Sequence, residues 1–396
     1  MFLFLLVTKM KNNLIKSIMI TASMLSINSF ASQTVRIATF NVSMDATNYT
    51  PKGQMVKADA LVTALESNHQ QIKNIAEIIQ RVRPNVLLLN EFDYVDKQAG
   101  IDVFVNNYLK VSQKQQQPID YPYIYLAPVN TGVPSGFDLD NNGKVTDNMG
   151  DAYGFGFFPG HYAMVLLSQY PIDFDKARTF QKFKTKDMPN AQIPVNPSTN
   201  ENWYSAQELD AIRLSSKSFW DVPIIIDDKP LHILASHPTP PVFDGPEDRN
   251  GMRNHNEVRL VADYVLNKNY IYDDKGIKGG LDTQSRFVIL GDLNAAPIGD
   301  KARVDTTDQL LKNKMINASY VPQSEGAKQE YIKPYAKNYT ANWQARVDYV
   351  LPSNYGLQIQ QGGVFWPMKS SPLYRLIKDR NASSDHRMVW LDITVK

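Results

Sequence analysis

The sequence predicts an α/β protein with mixed β-sheets in one compact domain, and three observations carry that expectation. Near the start, a strand-like run, an amphipathic helical run and a second strand-like run follow one another. Later apolar runs come in closely spaced pairs, as hairpin strands do. The chain's 396 residues, 43% hydrophobic and 11% aromatic, supply a sizeable core, with no Pro/Gly/Ser linker or internal repeat to divide it.

Taken in order, "TVRIATFNV" from Thr34 reads as a strand ending at Asn41. Residues 67–83 place Ile72, Ile75, Ile79 and Val82 at helical spacing, with Ser67 or Asn68 to start the helix and Pro84 after its end. "NVLLLNEFDY" is a buried strand running into Glu91, and "HYAMVLLSQYPI", "FWDVPIII" and "LHILASHPTPP" are three more, the last ending at His237. Asn254 to Asn267 reads as a helix with Val258, Val261, Tyr264 and Val265 on its buried side. "RFVILGDLNAAP" is a strand buried on both faces, in which Gly291 lets the chain bend and Pro297 ends regular structure. "RVDYVLPS" and "SDHRMVWLDITV" close the chain, and the stretch from Asp173 to Asn202, without periodicity, reads as a surface insertion.

The first 31 residues have a separate character. From Met10, "MKNNLIKSIMITASMLSINSFASQ" runs from lysines through a short apolar stretch to Ser29-Phe30-Ala31, the pattern of a secretory signal peptide cut after Ala31. Residues 1–9 read as an upstream extension, since Met10 opens a complete signal. A retained anchor is the alternative, but Thr21, Ser23 and Ser26 break the apolar core. Removing residues 1–31 takes away Lys9, Lys11 and Lys16 and no acidic residue, so 42 basic residues fall to 39 against 40 acidic. A near-neutral mature chain weighs against a generic nucleic-acid binder. The chain has no cysteine, which excludes disulfides, thiol nucleophiles and Cys-ligated zinc.

Polar residues gather at the ends of the apolar runs: Asn41, Glu91, His237, Asp292, Asn294, Asp348 and the pair Asp385-His386. Any one of them could cap a turn. Together they place carboxylates, amides and imidazoles at the ends of separate strands, where α/β sheets form binding crevices. Carboxylates with amide oxygen suit a hard cation such as Mg²⁺ or Mn²⁺, and the histidines titrate near neutrality. Metal, His and Asp together equip a site for attack of water on a phosphoester.

In this order "TFNV", "LLLNEFD", "ILASH", "GDLNA", "RVDYVL" and "SDHR", spanning Thr39 to Arg387, resemble the endonuclease/exonuclease/phosphatase superfamily, whose best-known members are deoxyribonuclease-I-like. The resemblance implies a four-layered α/β sandwich, two mixed β-sheets flanked by helices, with the site at one edge. Carried over, Glu91 is a principal metal ligand with Asn41 beside it, and Asp385 a ligand on the second side. His386 paired with Asp348 is the acid/base dyad, Asp292 orients or deprotonates water, and Asn294 holds a phosphate oxygen. His237 matches a histidine of the deoxyribonuclease-, sphingomyelinase- and phosphatase-like members, which abasic-site repair members lack.

Two stretches depart from the short nuclease pattern. After His237 come Asp244, Asp248, Arg249, Arg253 and His255, and Arg213 lies upstream. Arg213 and Arg253 read either as clamps for a substrate phosphate or as a strand-edge charge and a helix-capping charge. In "FDLDNNGKVTDNMGDAYGFG", part of an insertion near 130–160, Asp138, Asp140 and Asn142 before Gly143 open like a calcium loop, with Asp147 or Asp151 to close it. A solvated Asx-rich turn is the other reading. The function expected is an exported, metal-dependent phosphoesterase acting on small or lipid-derived phosphate mono- or diesters, without a stable membrane anchor. The alternatives are an extracellular non-specific nuclease and an inactive binding module of the same fold.

Overall fold

The computed structural model describes residues 33–396; the expected signal segment lies outside the described residues. Gln33–Lys396 forms one compact unit. Its strands are β1 (Thr34–Met44), β2 (Val86–Phe92), β3 (Tyr123–Tyr125), β4 (Met164–Ser168), β5 (Arg178–Thr179), β6 (Phe219–Ile226), β7 (Lys229–Ser236), β8 (Phe287–Asp292), β9 (Asp348–Pro352), β10 (Leu357–Val364) and β11 (Val389–Val395). They form a six-stranded sheet, in the order β10-β11-β1-β2-β4-β3, and a five-stranded sheet, β5-β6-β7-β8-β9. Each sheet is mixed and contains one parallel pair, β1 with β2 and β7 with β8. A parallel pair requires a crossover, and these two carry the long helices α1 (Gln70–Val82) and α2 (Arg249–Val265).

Side-chain alternation sorts the layers. In the second sheet Trp220, Val222, Ile233, Ala235, Val288, Leu290 and Val350 join the apolar cluster of β1, β2 and α1. Their neighbours Phe219, Leu234, Phe287, Ile289, Tyr349 and Leu351 join a second cluster with Val258, Val261 and Val265 of α2. Period-two alternation thus gives each sheet two buried faces, and the order is helix, sheet, sheet, helix. This is the four-layered α/β sandwich that the resemblance implies.

The differences from the sequence reading have local causes. Helix α1 starts at Gln70, behind a separate short helix at Ala60–Glu66. Helix α2 starts at Arg249 rather than Asn254; its first turn, Arg249-Asn250-Gly251, has no apolar periodicity to betray it. The stretch at 173–202 is largely irregular, as expected, but it includes β5 and is more than surface. Phe180 and Phe183 are fully buried and pack on Phe219, Tyr264, Tyr270 and Tyr272. Strand β10, "LQIQQGGV", was not anticipated, because on this edge strand polar residues hold the exposed positions.

Candidate active site

Both sheets bring strand termini to the same edge. Asn41 emerges on β1, Glu91 on β2, Asp292 on β8 and Asp348 on β9, where Asp292 and Asp348 are cross-strand partners. Gly291 makes the close approach of β7 and β8 possible. Its φ is +150°, and a Cβ there would lie 1.8 Å from the Ser236 carbonyl oxygen. Glu91 and Asn294 hold φ of 56° and 52°, left-handed values uncommon for non-glycine residues and concentrated at functional sites.

Asp292 is the hub. Its Oδ2 accepts from Asn41 Nδ2 at 3.1 Å and its Oδ1 from the Asn294 backbone N–H at 2.9 Å. The same Oδ2 lies 3.6 Å from His237 Nε2 and 3.5 Å from His386 Nε2. His386 Nδ1 is held by both Asp348 oxygens, at 3.0 and 3.2 Å, and Trp343 packs against its ring with centroids 4.8 Å apart. Asn294 Nδ2 donates to the Pro238 carbonyl at 3.1 Å and so joins the loops after β7 and β8. The expected residues Asn41, His237, Asp292, Asn294, Asp348 and His386 therefore form one connected group.

The two histidines are driven apart electrostatically. Burial opposes charge on His386, but Asp348 and then Asp292 outweigh it and push its pKa up to about 10. His237 is held well below its usual value by burial, reinforced by the positive charges of Lys217 and His386. Burial raises Asp292 to about 6, with His386 working the other way and Asp348 adding to the rise. At neutral pH the site thus holds an imidazolium, a neutral imidazole and a carboxylate poised between them, the separation that acid–base work needs. Asp292, Asp348 and His386 also stand close enough to hold a metal ion. The contacts of His386 Nδ1 with both Asp348 oxygens have the geometry of a His–Asp dyad as well.

Carboxylates gather on the first-sheet side. Burial, with Asp45 and then Asp385 nearby, raises Glu91 to about 7. Asp45 is fully buried, its Oδ1 accepts from the Thr47 and Asn48 backbone, and its Oδ2 has no hydrogen-bond partner among the described residues. His161 Nε2 stands 3.6 Å from Asp45 Oδ1. Ser43 Oγ donates to Asp385 Oδ1 at 3.3 Å. Neighbouring carboxylates that raise the Glu91 pKa, with an orphaned buried oxygen on Asp45 and the amide of Asn41 beside Glu91, fit a hard divalent cation.

Each helix ties its own half of the site together. From α1, Gln71 Nε2 reaches the Val42 and Ser383 carbonyls and Asn74 Nδ2 the Ala382 carbonyl. From α2, Asn254 Nδ2 donates to Thr239 O and Leu293 O, each at 2.9 Å. Glu257 accepts the Ser216 and Thr239 backbone N–H groups, each at 2.6 Å. Lys217, 5% exposed, sits between these anchors; burial lowers its pKa while Glu257, Glu91 and Asp292 support its charge. Asp45, His161, Lys217, Asn254 and Glu257 were not singled out in the sequence. A polar residue at a buried helical phase marks Asn254 and Glu257, but no one-dimensional signal marks the others.

The two arginines read as clamp candidates are bonded to groups of the protein itself. Arg253 donates from Nε to Leu214 O at 2.9 Å and from Nη2 to Arg213 O at 3.1 Å and to Tyr153 O. Arg213 donates to Asn130 Oδ1 at 2.7 Å and stacks on Tyr153. Both guanidinium groups fasten the 130–160 insertion, where a Cβ on Gly154 would lie 1.9 Å from Ser216 O. In the loop read as a calcium site, Asp138 and Asp140 converge with Asp151 rather than with Asp147. Asp151 is already bonded to Leu139 N and Thr146 N, while Asn142 Oδ1 accepts Lys144 N in a turn.

The sequence from 38 to 386 matches the model of the endonuclease/exonuclease/phosphatase family. No curated protein matches the chain. Among solved structures, an endonuclease/exonuclease/phosphatase from Beutenbergia cavernae is similar at 15% identity, covering 92% of this chain and 72% of that one, with a TM-score of 0.47. Sphingomyelinase C from Streptomyces griseocarneus is similar at 13% identity, with 91% and 99% covered and a TM-score of 0.43. A beta toxin variant from Staphylococcus aureus with bound magnesium ions is similar at 16% identity, with 92% and 100% covered and a TM-score of 0.42. With the family model spanning nearly all of the described residues, the chain belongs to the endonuclease/exonuclease/phosphatase family.

Proposed function

We propose that the protein is a divalent-metal-dependent phosphoesterase that hydrolyses small or lipid-derived phosphate mono- or diesters by attack of water. The observation that carries this reading is the placement of Asp292 Oδ2 within 3.6 Å of both His237 and His386, one ring neutral and the other protonated, beside a separate carboxylate group at Glu91. Glu91, Asn41 and Asp385 would hold Mg²⁺ or Mn²⁺. When bound, such an ion offsets charge on the phosphoryl oxygens. Asp292, with a pKa near neutrality, orients water and accepts its proton. His386, held by Asp348, donates hydrogen bonds to a phosphoryl oxygen or a proton to the departing alkoxide, which matches its protonated state at neutral pH. His237, neutral, and Asn294 hold the phosphoryl group from the second sheet, with the buried side chain of Lys217 nearby.

The near-neutral mature chain favours small esters over nucleic acid. The signal-like residues 10–31 support export, and no helix among the described residues is long and apolar enough to cross a membrane. A calcium ion at Asp138 and Asp140 would be structural. The test compares turnover of bis(p-nitrophenyl) phosphate, p-nitrophenyl phosphate and plasmid DNA with Mg²⁺, Mn²⁺ or chelator. Metal-dependent cleavage of a small ester with intact plasmid supports the proposal. Rapid plasmid nicking would replace it with a nuclease, and no turnover of any of the three would favour a binding module.

A further inference from the structure

The arginine that does face the carboxylate group is Arg380, in the loop before Asp385. Its Nη1 lies 3.6 Å from Asp385 Oδ2 with the side chain 49% exposed, and among the described residues it donates no hydrogen bond. Burial opposes its charge, but Asp385, then Glu91 and Asp45, raise its pKa above the usual guanidinium value. Its neighbour Arg387 is the opposite case, spent on the carbonyls of Ser384 at 2.8 Å, His386 at 2.9 Å and Ile377 at 3.0 Å. The loop beneath Arg380 is fixed, since Asn74 Nδ2 holds Ala382 O at 2.7 Å and Ala382 N is held by Asp379 Oδ1 at 2.8 Å. A firm base thus carries a long side chain attached at its tip by charge alone, and a half-exposed ion pair of this length is weak and easily exchanged.

We propose that Arg380 is an exchangeable counter-cation: it balances the Asp385, Glu91 and Asp45 carboxylates without metal, gives way to the divalent ion, and then grips a phosphoryl oxygen of the substrate. The inference rests on the proposed function, because it assumes the ion and the phosphoester. The driving force is competition for one ligand. The Asp385 oxygen that Arg380 holds at 3.6 Å is on a carboxylate the divalent ion would also take, and an ion bound there releases the guanidinium toward the arriving anion. Guanidinium geometry suits a two-point grip on phosphate, which a lysine does not reproduce.

The two roles have opposite signs in one variant. Mn²⁺ affinity of the full chain, measured calorimetrically without substrate, should tighten about three- to tenfold in Arg380→Ala, as expected for removing a like charge several ångströms from the ion. KM for bis(p-nitrophenyl) phosphate should rise about tenfold in the same variant with kcat changed far less, the pattern of lost binding common to ground and transition states. Arg380→Lys should return Mn²⁺ affinity to that of the wild type but leave KM raised. Unchanged Mn²⁺ affinity and KM in Arg380→Ala, or a loss of affinity for both, would overturn the inference while leaving the enzyme reading intact. A wild-type chain that binds no Mn²⁺ would overturn both.

Discussion

Asp292 meets both histidines with one oxygen, and most testable consequences at the residue scale follow from that contact. Asp292→Asn and His237→Ala should each lower kcat/KM by about 10²–10⁴-fold while the melting temperature stays nearly unchanged, because the amide keeps an acceptor oxygen for Asn294 N–H and a buried neutral imidazole stabilises little. Comparing activity with thermal unfolding checks this, and full activity in either variant would sink the mechanism. The pH profile of kcat/KM should rise through about 6, as Asp292 ionises, and fall through about 10, as His386 loses its proton. Asp348→Asn should bring the alkaline limb down toward the ordinary imidazole range; an unmoved limb would remove His386 from the assignment. The same shift is linked to stability. A folded-state pKa raised from 6.5 to about 10 contributes stability that is complete below 6.5 and lost as pH rises through about 10. The strand-end residues were legible because each borders an apolar run that begins or ends abruptly. Lys217 was not, since "SSKS" reads as any polar turn, and the sequence leaves the role of Arg253 open because its carbonyl partners are tertiary.

Elements position these residues more than their own loops do. Helix α2 is amphipathic in the ordinary sense, yet Asn254 and Glu257 turn toward the site and hold the ends of three loops. Glu257→Ala leaves the buried Ser216 and Thr239 N–H groups unpaired, at about 1–3 kcal/mol each. It should therefore lower both the melting temperature and the activity, whereas a variant with an unchanged melting curve would show that the loops hold themselves. Gly291→Ala places a methyl against the Ser236 carbonyl, and overpacking of this kind costs about 1–3 kcal/mol; the β7–β8 pair would splay, and activity would fall with stability. Helix α1 and β8 were legible from periodicity and from an unbroken apolar run. The short β3 and β5 and the polar edge strand β10 were not, because pairing across the sheet, rather than local pattern, makes them strands. Phe180 and Phe183 show the same limit: they belong to the core, but an irregular backbone carries them there with no repeat to reveal it.

At the scale of the molecule, two mixed sheets bring one half of the site each to a common edge. The first contributes Asn41, Glu91, Asp385 and His386, and the second contributes His237, Asp292, Asn294 and Asp348. The architecture was predictable from the order of motifs, but the way the halves interlock through Asp292 was a three-dimensional fact. Binding of Mn²⁺ to the folded chain alone should raise the melting temperature in proportion to the logarithm of ion concentration above Kd, and chelator should reverse the rise. The central claim is that hydrolysis depends on a divalent ion held at Glu91. The most direct measurement is the Mn²⁺ dependence of bis(p-nitrophenyl) phosphate turnover by the wild-type chain and by Glu91→Ala. The account predicts saturable activation of the wild type, abolished by chelator and restored by Mn²⁺, with no activation of the variant. Turnover that survives chelation, or that Glu91→Ala retains in full, would contradict it.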